Sequence, residues 1–258
     1  MISENEFSDI LSQNGWIKFN AVIPDELLNQ LQLDIEKAYA KCREVQLKNG
    51  VDVNTDGTVH HLLGQYESFL KVLGNAYLHK YVQQYFGQPY IINSYGGVIN
   101  LKNKLSYVGN IHRDIRSFYN MPMMINMLIM LDDFTLENGA TYFLTGSHKF
   151  DDKPDANFFY ERADRAIGKA GDVILFDSLL WHAAGENKTD NMRRALTLTF
   201  TRPFMKPQLD YPRALGYDNG NNFSEHLRQV VGYNSRIPSS LDEWYQPPQK
   251  RFYKQGQG

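Results

Sequence analysis

The chain predicts a mainly β domain, a sandwich or barrel, carried behind a helical first third. Three observations lead there. Apolar residues recur at helical spacing up to residue 89. From residue 90 the texture changes to short β-prone runs separated by turns. One of those runs, 195–201, alternates apolar residues with threonine at period two, as a half-buried strand should. Several short strands with turns between them favour a sandwich or barrel over a parallel βαβ sheet.

The elements follow in order. Pro24-Asp25-Glu26-Leu27 is a helix start, with proline and acids in the first turn. Leu27, Leu28, Leu31, Ile35, Ala38 and Tyr39 then form one apolar stripe, and Gly50 ends the region. A second helix is expected over 67–86, with Phe69, Val72, Leu73, Tyr77, Tyr81, Val82 and Tyr85 on its buried side, closed by Gly87 and Pro89. Strands are expected at 90–93, 121–131, 141–144, 171–176 and 195–201. Residues 151–169 read as a polar, partly helical loop. The segment from Tyr211 carries Pro212, Gly216, Gly220, Pro238, Pro247 and Pro248 and reads as loop or lid. No repeat or linker interrupts the pattern. One domain over 1–258 is expected, with helical support over 1–89, a core over 90–205 and a C-terminal lid region over 206–258.

Composition narrows the function classes. Of 258 residues, 42% are hydrophobic and 22% charged, which is ordinary for a globular protein. A formal charge of −2 speaks against a general nucleic-acid binder. Cys42 is the only cysteine, so an internal disulfide and a cysteine-rich zinc site are both excluded. The first residues lack a basic region leading into an apolar core, and the apolar run at 121–131 is too short for a membrane span. A cytoplasmic location, without membrane contact, is the expectation.

Four side chains carry the chemistry. In His112-Arg113-Asp114, positions i and i+2 of a strand would aim both outer side chains at one point. Alone, the pair is a weak signal and more often marks an exposed loop histidine beside a solvated aspartate. His182 follows seventy positions later in Leu180-Trp181-His182, and alone it equally describes a satisfied histidine behind Trp181. Together, two histidines and one carboxylate make the facial triad of non-haem Fe(II) oxygenases. Arg193 begins the next strand, and its guanidinium suits a dicarboxylate co-substrate such as 2-oxoglutarate. Alternation puts only one of Arg193 and Arg194 inside. The face through Ala195 and Thr197 is Arg193's, which favours Arg193.

At this point the chain resembles the phytanoyl-CoA dioxygenase-like group of Fe(II)/2-oxoglutarate oxygenases over roughly residues 10–205. The resemblance rests on five stretches in order: His112-Arg113-Asp114, Leu131-Asp132-Asp133, the turn-strand-turn from Asn138-Gly139 to Gly146-Ser147-His148-Lys149, Gly171-Asp172-Val173-Ile174-Leu175-Phe176, and His182 with Arg193. It implies a double-stranded β-helix, a jelly-roll or cupin-like barrel, with helices along one side. It implies His112, Asp114 and His182 as iron ligands, Arg193 as the residue binding the distal carboxylate of 2-oxoglutarate, and His148 as structural. Asn100 and Asn126 stand where relatives place polar 2-oxoglutarate contacts, and for Asn126 the solvent face of its strand is the alternative. Ala184 departs from relatives that carry a hydroxyl at that position. Related halogenases replace the carboxylate ligand by a small residue. Asp114 is intact, so hydroxylation of a small-molecule or carrier-linked substrate with O₂ is expected.

The substrate is not written in the sequence. Tyr107, Phe118, Tyr119, Phe158, Phe159 and Tyr160 either line a pocket or belong to the core, and Arg116 either meets an anionic substrate or lies on the surface. Lys149, Lys153, Arg162, Arg165 and Lys169 are interspersed with acids that cancel most of their field. Two alternatives stand beside an oxygenase: a barrel that binds ligand without turnover, and a hydrolytic metal barrel of cupin-like shape.

Overall fold

The alternation read at 195–201, with Arg193 at its start as expected, becomes the strand around which the larger sheet is built. The computed structural model describes residues 1–104, 106–115 and 121–257. Along them run α1 (Glu4–Asn14), β1 (Trp16–Phe19), α2 (Asp25–Lys48), β2 (Thr58–Val59), α3 (Glu67–Gly74), α4 (His79–Phe86), β3 (Ile91–Asn100), β4 (Met124–Met130) and β5 (Tyr142–Phe143). They are followed by α5 (Ala156–Arg162), β6 (Asp164–Arg165), β7 (Val173–Asp177), β8 (His182–Ala183), β9 (Arg193–Thr201), α6 (Tyr211–Leu215), α7 (Glu225–Val231) and α8 (Leu241–Trp244).

The larger sheet has the order β1-β7-β4-β9-β3-β2, with every neighbouring pair antiparallel. The smaller has the order β6-β5-β8. Both faces of the larger sheet are covered. Leu196, Leu198 and Phe200 of β9, Ile125, Met127 and Ile129 of β4, and Val173 and Leu175 of β7 join the helices in one core. The alternate residues Ala195, Leu128, Met130, Ile174 and Phe176 face the smaller sheet and meet Phe143 and Ala140 in a second core. A strand buried on both faces has no polar side to show. That is why β4 reads as an unbroken apolar run interrupted only by Asn126.

The helical layer rests on α2. Leu28, Leu31, Ile35 and Ala38 recur three and four apart on that helix and are buried against the sheet.

Four expectations are corrected. The region expected to be mainly helical also contributes strands: β1 pairs with β7 at one sheet edge and β2 pairs with β3 at the other. The helix expected over 67–86 is two helices, because Ala76 (φ 54°) and Leu78 (φ 57°) adopt left-handed backbone between them. The short expectation at 90–93 is the start of the long strand β3, whose Gly96 and Gly97 hid its strand character. The C-terminal segment is partly core, since Leu227, Val230 and Val231 of α7 are buried in the helical layer.

Among the described residues no helix is long and apolar enough to cross a membrane.

Burial also sets an acid sensitivity. His79 accepts or donates at Tyr90 Oη over 2.7 Å, and its ring lies 4.3 Å from that of His226. Burial holds both below the ordinary histidine value of 6.5, and His79 depresses His226 further. The unfolded chain therefore binds protons that the folded one refuses, so stability is complete above about pH 6.5 and is lost as the pH falls from there. Denaturant titrations should show a lower unfolding free energy at pH 5 than at pH 7. His60, His61, His148 and His182 are lowered by burial as well, so the double variant His79→Gln/His226→Gln should reduce that slope without abolishing it, and an unaltered slope would assign the sensitivity to those other groups.

Candidate metal centre and anion pocket

The smaller sheet and the chain before β4 bring the two histidines together. His112 and His182 form an antiparallel bridge: the His112 amide donates to the His182 carbonyl at 3.0 Å, and the His182 amide returns the bond at 2.9 Å. Beyond His112 the chain does not continue as the strand expected from its i, i+2 spacing. It bends, and the Asp114 amide donates to the Ser178 carbonyl at 3.0 Å. Convergence thus comes from two loops tied by backbone bonds.

The side chains meet at one point. Asp114 Oδ1 lies 3.8 Å from His112 Nε2, and Asp114 Oδ2 lies 3.8 Å from His182 Nε2. One ligand atom from each residue falls within 4.8 Å of the other two. Each imidazole donates its Nδ1–H to the carbonyl two residues before it, His112 to Asn110 at 2.7 Å and His182 to Leu180 at 2.9 Å. A carbonyl only accepts, so those bonds fix the tautomer and leave both Nε2 lone pairs toward the carboxylate. His182 is buried against Phe176 and Phe143. Burial pushes its pKa down to about 4, against the opposing pull of Asp114, so it stays neutral as ligation requires. Asp114 is exposed, so the cluster opens on the carboxylate side. Three ligands on one side of an ion leave its remaining positions free.

Asn126 orients the carboxylate. Its Nδ2 donates to Asp114 Oδ2 at 2.8 Å, and its Oδ1 accepts from Thr199 Oγ1 at 2.8 Å. The two residues are directly paired between β4 and β9. Asn126 is buried, which removes the solvent-face alternative. Its hydrogen bonds run to the candidate metal ligand and to Thr199. Thr199 was missed in the sequence, although period two from Arg193 puts it on the same face of β9.

Arg193 starts β9 on that same face. It is 2% exposed, its guanidinium lies 4.2 Å from the centre of the Phe134 ring, and its Nε has no hydrogen-bond partner. Burial pushes its pKa down to about 10, with the Asp132 charge opposing. Asp132 itself is engaged by Arg194, whose Nη2 and Nε reach its two oxygens at 2.6 and 2.9 Å while Nη1 reaches Glu36 at 2.6 Å. Arg194 is therefore the structural arginine, on the helical face. Asn100 is paired with Arg193 across β3 and β9, is buried, and donates to the Gly185 carbonyl at 2.8 Å. Between the Asn126–Thr199 pair and the Arg193–Asn100 pair, the inward positions hold Thr197 and Ala195 of β9, Gly96 and Val98 of β3, and Leu128 and Met130 of β4. Arg193 and Thr199 thus stand at the two ends of one face of β9.

The other candidates separate cleanly. Tyr107 Oη pairs with His60 Nε2 at 2.9 Å, and its phenol is held up by burial and then by the charge of Asp114, so it lies near the open side of the cluster. Phe159 belongs to a small core with Ile111, Leu144, Trp181 and Ala183, away from His182. Phe158 and Tyr160 are exposed. His148 bonds the Ser12 carbonyl at 3.1 Å and takes no part in the cluster. Arg116, Phe118 and Tyr119 lie outside the described residues.

The model of the phytanoyl-CoA dioxygenase (PhyH) family matches residues 11–195. The chain belongs to that family. Rv1501, an uncharacterised protein of Mycobacterium tuberculosis, is 42% identical over 134 residues, 52% of this chain and 49% of its own length. The dioxygenase sphC of Aspergillus fumigatus is 27% identical over 186 residues, 65% of this chain and 49% of its own. The chain thus spans about half the length of these relatives. The crystal structure of EctD from S. alaskensis, with 2-oxoglutarate and 5-hydroxyectoine, superposes with a TM-score of 0.63 at 20% identity, covering 78% of this chain and 76% of that one. The shared fold is the jelly roll expected from the motifs. Fe(II) and 2-oxoglutarate fit what the barrel offers: a neutral two-histidine, one-carboxylate donor set, and a buried guanidinium that makes no ion pair among the described residues.

If Asn126 positions Asp114, its removal should loosen the metal without unfolding the chain. Equilibrium titration with Fe(II) under anaerobic conditions should show Asn126→Ala binding about 10- to 100-fold more weakly. Thr199→Val should lose less, and an unchanged affinity in Asn126→Ala would deny the positioning role.

Proposed function

We propose that the protein is an Fe(II)- and 2-oxoglutarate-dependent hydroxylase that oxidises an aliphatic carbon of a small-molecule or carrier-linked substrate, with His112, Asp114 and His182 as the iron ligands and Arg193 as the anchor of the co-substrate. The observation that carries the proposal is the joint presence, in one barrel, of the His-Asp-His cluster and a buried arginine that makes no ion pair among the described residues. Fe(II) held by His112, Asp114 and His182, with 2-oxoglutarate held by Arg193, would supply the oxidation, substrate C–H, O₂ and 2-oxoglutarate giving C–OH, succinate and CO₂.

The chain's own residues do the positioning. Arg193 would take the distal carboxylate, its guanidinium being suited to grip and orient one. Asn100, beside it, holds the loop after His182 in place through Gly185. Thr199 and Asn126 keep the Asp114 carboxylate turned toward both imidazoles. Phe143 and Phe176 keep water from the His182 side. The exposed Asp114 side, with Tyr107 and His60 nearby, is where substrate approaches.

The intact carboxylate favours hydroxylation over halogenation, because Asp114 fills the position that a halide would need. A hydrolytic metal barrel has no use for Arg193, and its turnover would survive without oxygen.

A screen of candidate substrates by succinate formation tests this directly. Succinate should appear only with Fe(II), 2-oxoglutarate and O₂ together, and Asp114→Ala should abolish it while circular dichroism shows the fold kept. Full activity in that variant would remove the case for the cluster. Arg193→Ala should raise the 2-oxoglutarate requirement about 10- to 100-fold, the loss of a charged hydrogen-bonded pair. An unchanged requirement would place the co-substrate elsewhere.

A further inference from the structure

A second arginine stands near the first. Arg165 of β6 is paired with Tyr142 of β5, and its guanidinium lies 3.9 Å from the centre of the Tyr142 ring. It donates from Nε to the Ala140 carbonyl at 3.0 Å, from Nη1 to Tyr142 Oη at 3.0 Å, and from Nη2 to the Leu136 carbonyl at 3.3 Å. All three acceptors are neutral, and among the described residues Arg165 forms no ion pair.

Its position is set by a close approach of two turns. A Cβ at Gly185 would stand 2.7 Å from Arg165 Nη2, and a Cβ at Gly139 (φ 81°) would collide with the Gly185 carbonyl. That same carbonyl accepts from Asn100, the residue directly opposite Arg193. Ala140, gripped by Arg165, shares a core with Phe134, the ring beneath Arg193. The two guanidiniums therefore stand at the same end of the fold, one from each sheet, linked through Gly185 and Asn100. The charge of Arg165 acts on Arg193 in the sense of a like charge close by, disfavouring its protonated form.

We propose that Arg165 is a second specificity-determining cation for the co-substrate, which with Arg193 makes this end of the barrel doubly positive and so selects a keto acid bearing a second carboxylate over one without. The proposal rests on the reading of Arg193 as the co-substrate anchor. Arg193 supplies the direct hydrogen bonds. Arg165 acts as a positioning and field residue: it is half-buried and its direct hydrogen bonds go to neutral groups, so the exposed Glu137, whose carboxyl its charge helps hold down, offsets its field only in part. A purely mechanical role, clamping the 136–140 turn, accounts for its hydrogen bonds but predicts no dependence on the ligand's charge.

Calorimetric titration of the anaerobic Fe(II)-loaded protein separates these roles without turnover. The probes are 2-oxoglutarate and 2-oxovalerate, a keto acid of the same chain length that ends in a methyl group. The wild type should bind 2-oxoglutarate more tightly. Arg165→Gln should weaken 2-oxoglutarate about five- to ten-fold, the effect of one incompletely screened charge, and leave 2-oxovalerate unchanged. Arg165→Lys should restore the preference. Equal weakening of both keto acids in Arg165→Gln, or no weakening of either, would overturn the proposal, and failure of Arg165→Lys to restore the preference would do the same. A wild type that does not discriminate, or an Arg193→Ala variant that discriminates as well as the wild type, would instead sink the reading of Arg193 itself.

Discussion

A charged guanidinium sealed inside a barrel is the constraint on which the rest depends. Arg193 sits at the start of β9, almost wholly buried, stacked on Phe134, with its Nε unpartnered. An isolated buried charge is among the costliest arrangements a fold can keep. The adjacent Arg194 shows the ordinary solution, with Asp132 and Glu36 within hydrogen-bonding distance. Arg193 has no such solution among the described residues, and its inward direction follows from strand alternation. In the proposed reading a ligand carboxylate would supply the missing counter-charge, and Arg193 shares the face of β9 from which Thr199 reaches the metal cluster through Asn126.

That face is the organising line of the molecule. The helices cover one side of the larger sheet and leave the other side to the inner core and the site. On the inner side Thr199 reaches Asn126, Asn126 reaches Asp114, and Asp114 reaches both histidines. The backbone bridge between His112 and His182 makes the ligand geometry a property of sheet pairing as much as of side-chain choice. Both imidazoles are oriented by backbone carbonyls, so the aim of their Nε2 atoms is fixed by the protein's own hydrogen bonds.

Sequence pattern revealed the strands and the four main side chains because each left a periodic or motif signal. The threonine alternation placed Arg193 inward and Arg194 outward, and the motif order gave the jelly roll. What pattern could not reveal were contacts across sequence distance. β1 lay hidden because Trp16-Ile17-Lys18-Phe19 is short and its partner β7 is far along the chain. The break between α3 and α4 depends on left-handed backbone at Ala76 and Leu78, neither of which advertises it. The bend at Asp114 replaced an expected strand because the Ser178 carbonyl captures its amide. Asn126 was recognised as unusual, yet its hydrogen bond to Asp114 needed the fold. Arg165 drew notice only as one charge in a mixed loop.

The most direct test is the stability of Arg193→Met in the metal-free, 2-oxoglutarate-free protein. Replacing an unpaired buried cation with an apolar side chain of similar length removes a desolvation cost, so the variant should unfold at the same or higher denaturant concentration than the wild type, and adding 2-oxoglutarate to the Fe(II)-loaded proteins should further stabilise the wild type far more than the variant. A variant several kcal/mol less stable than the wild type, the usual result of breaking a buried pair, would mean that Arg193 has a structural counter-ion and is no waiting anion site.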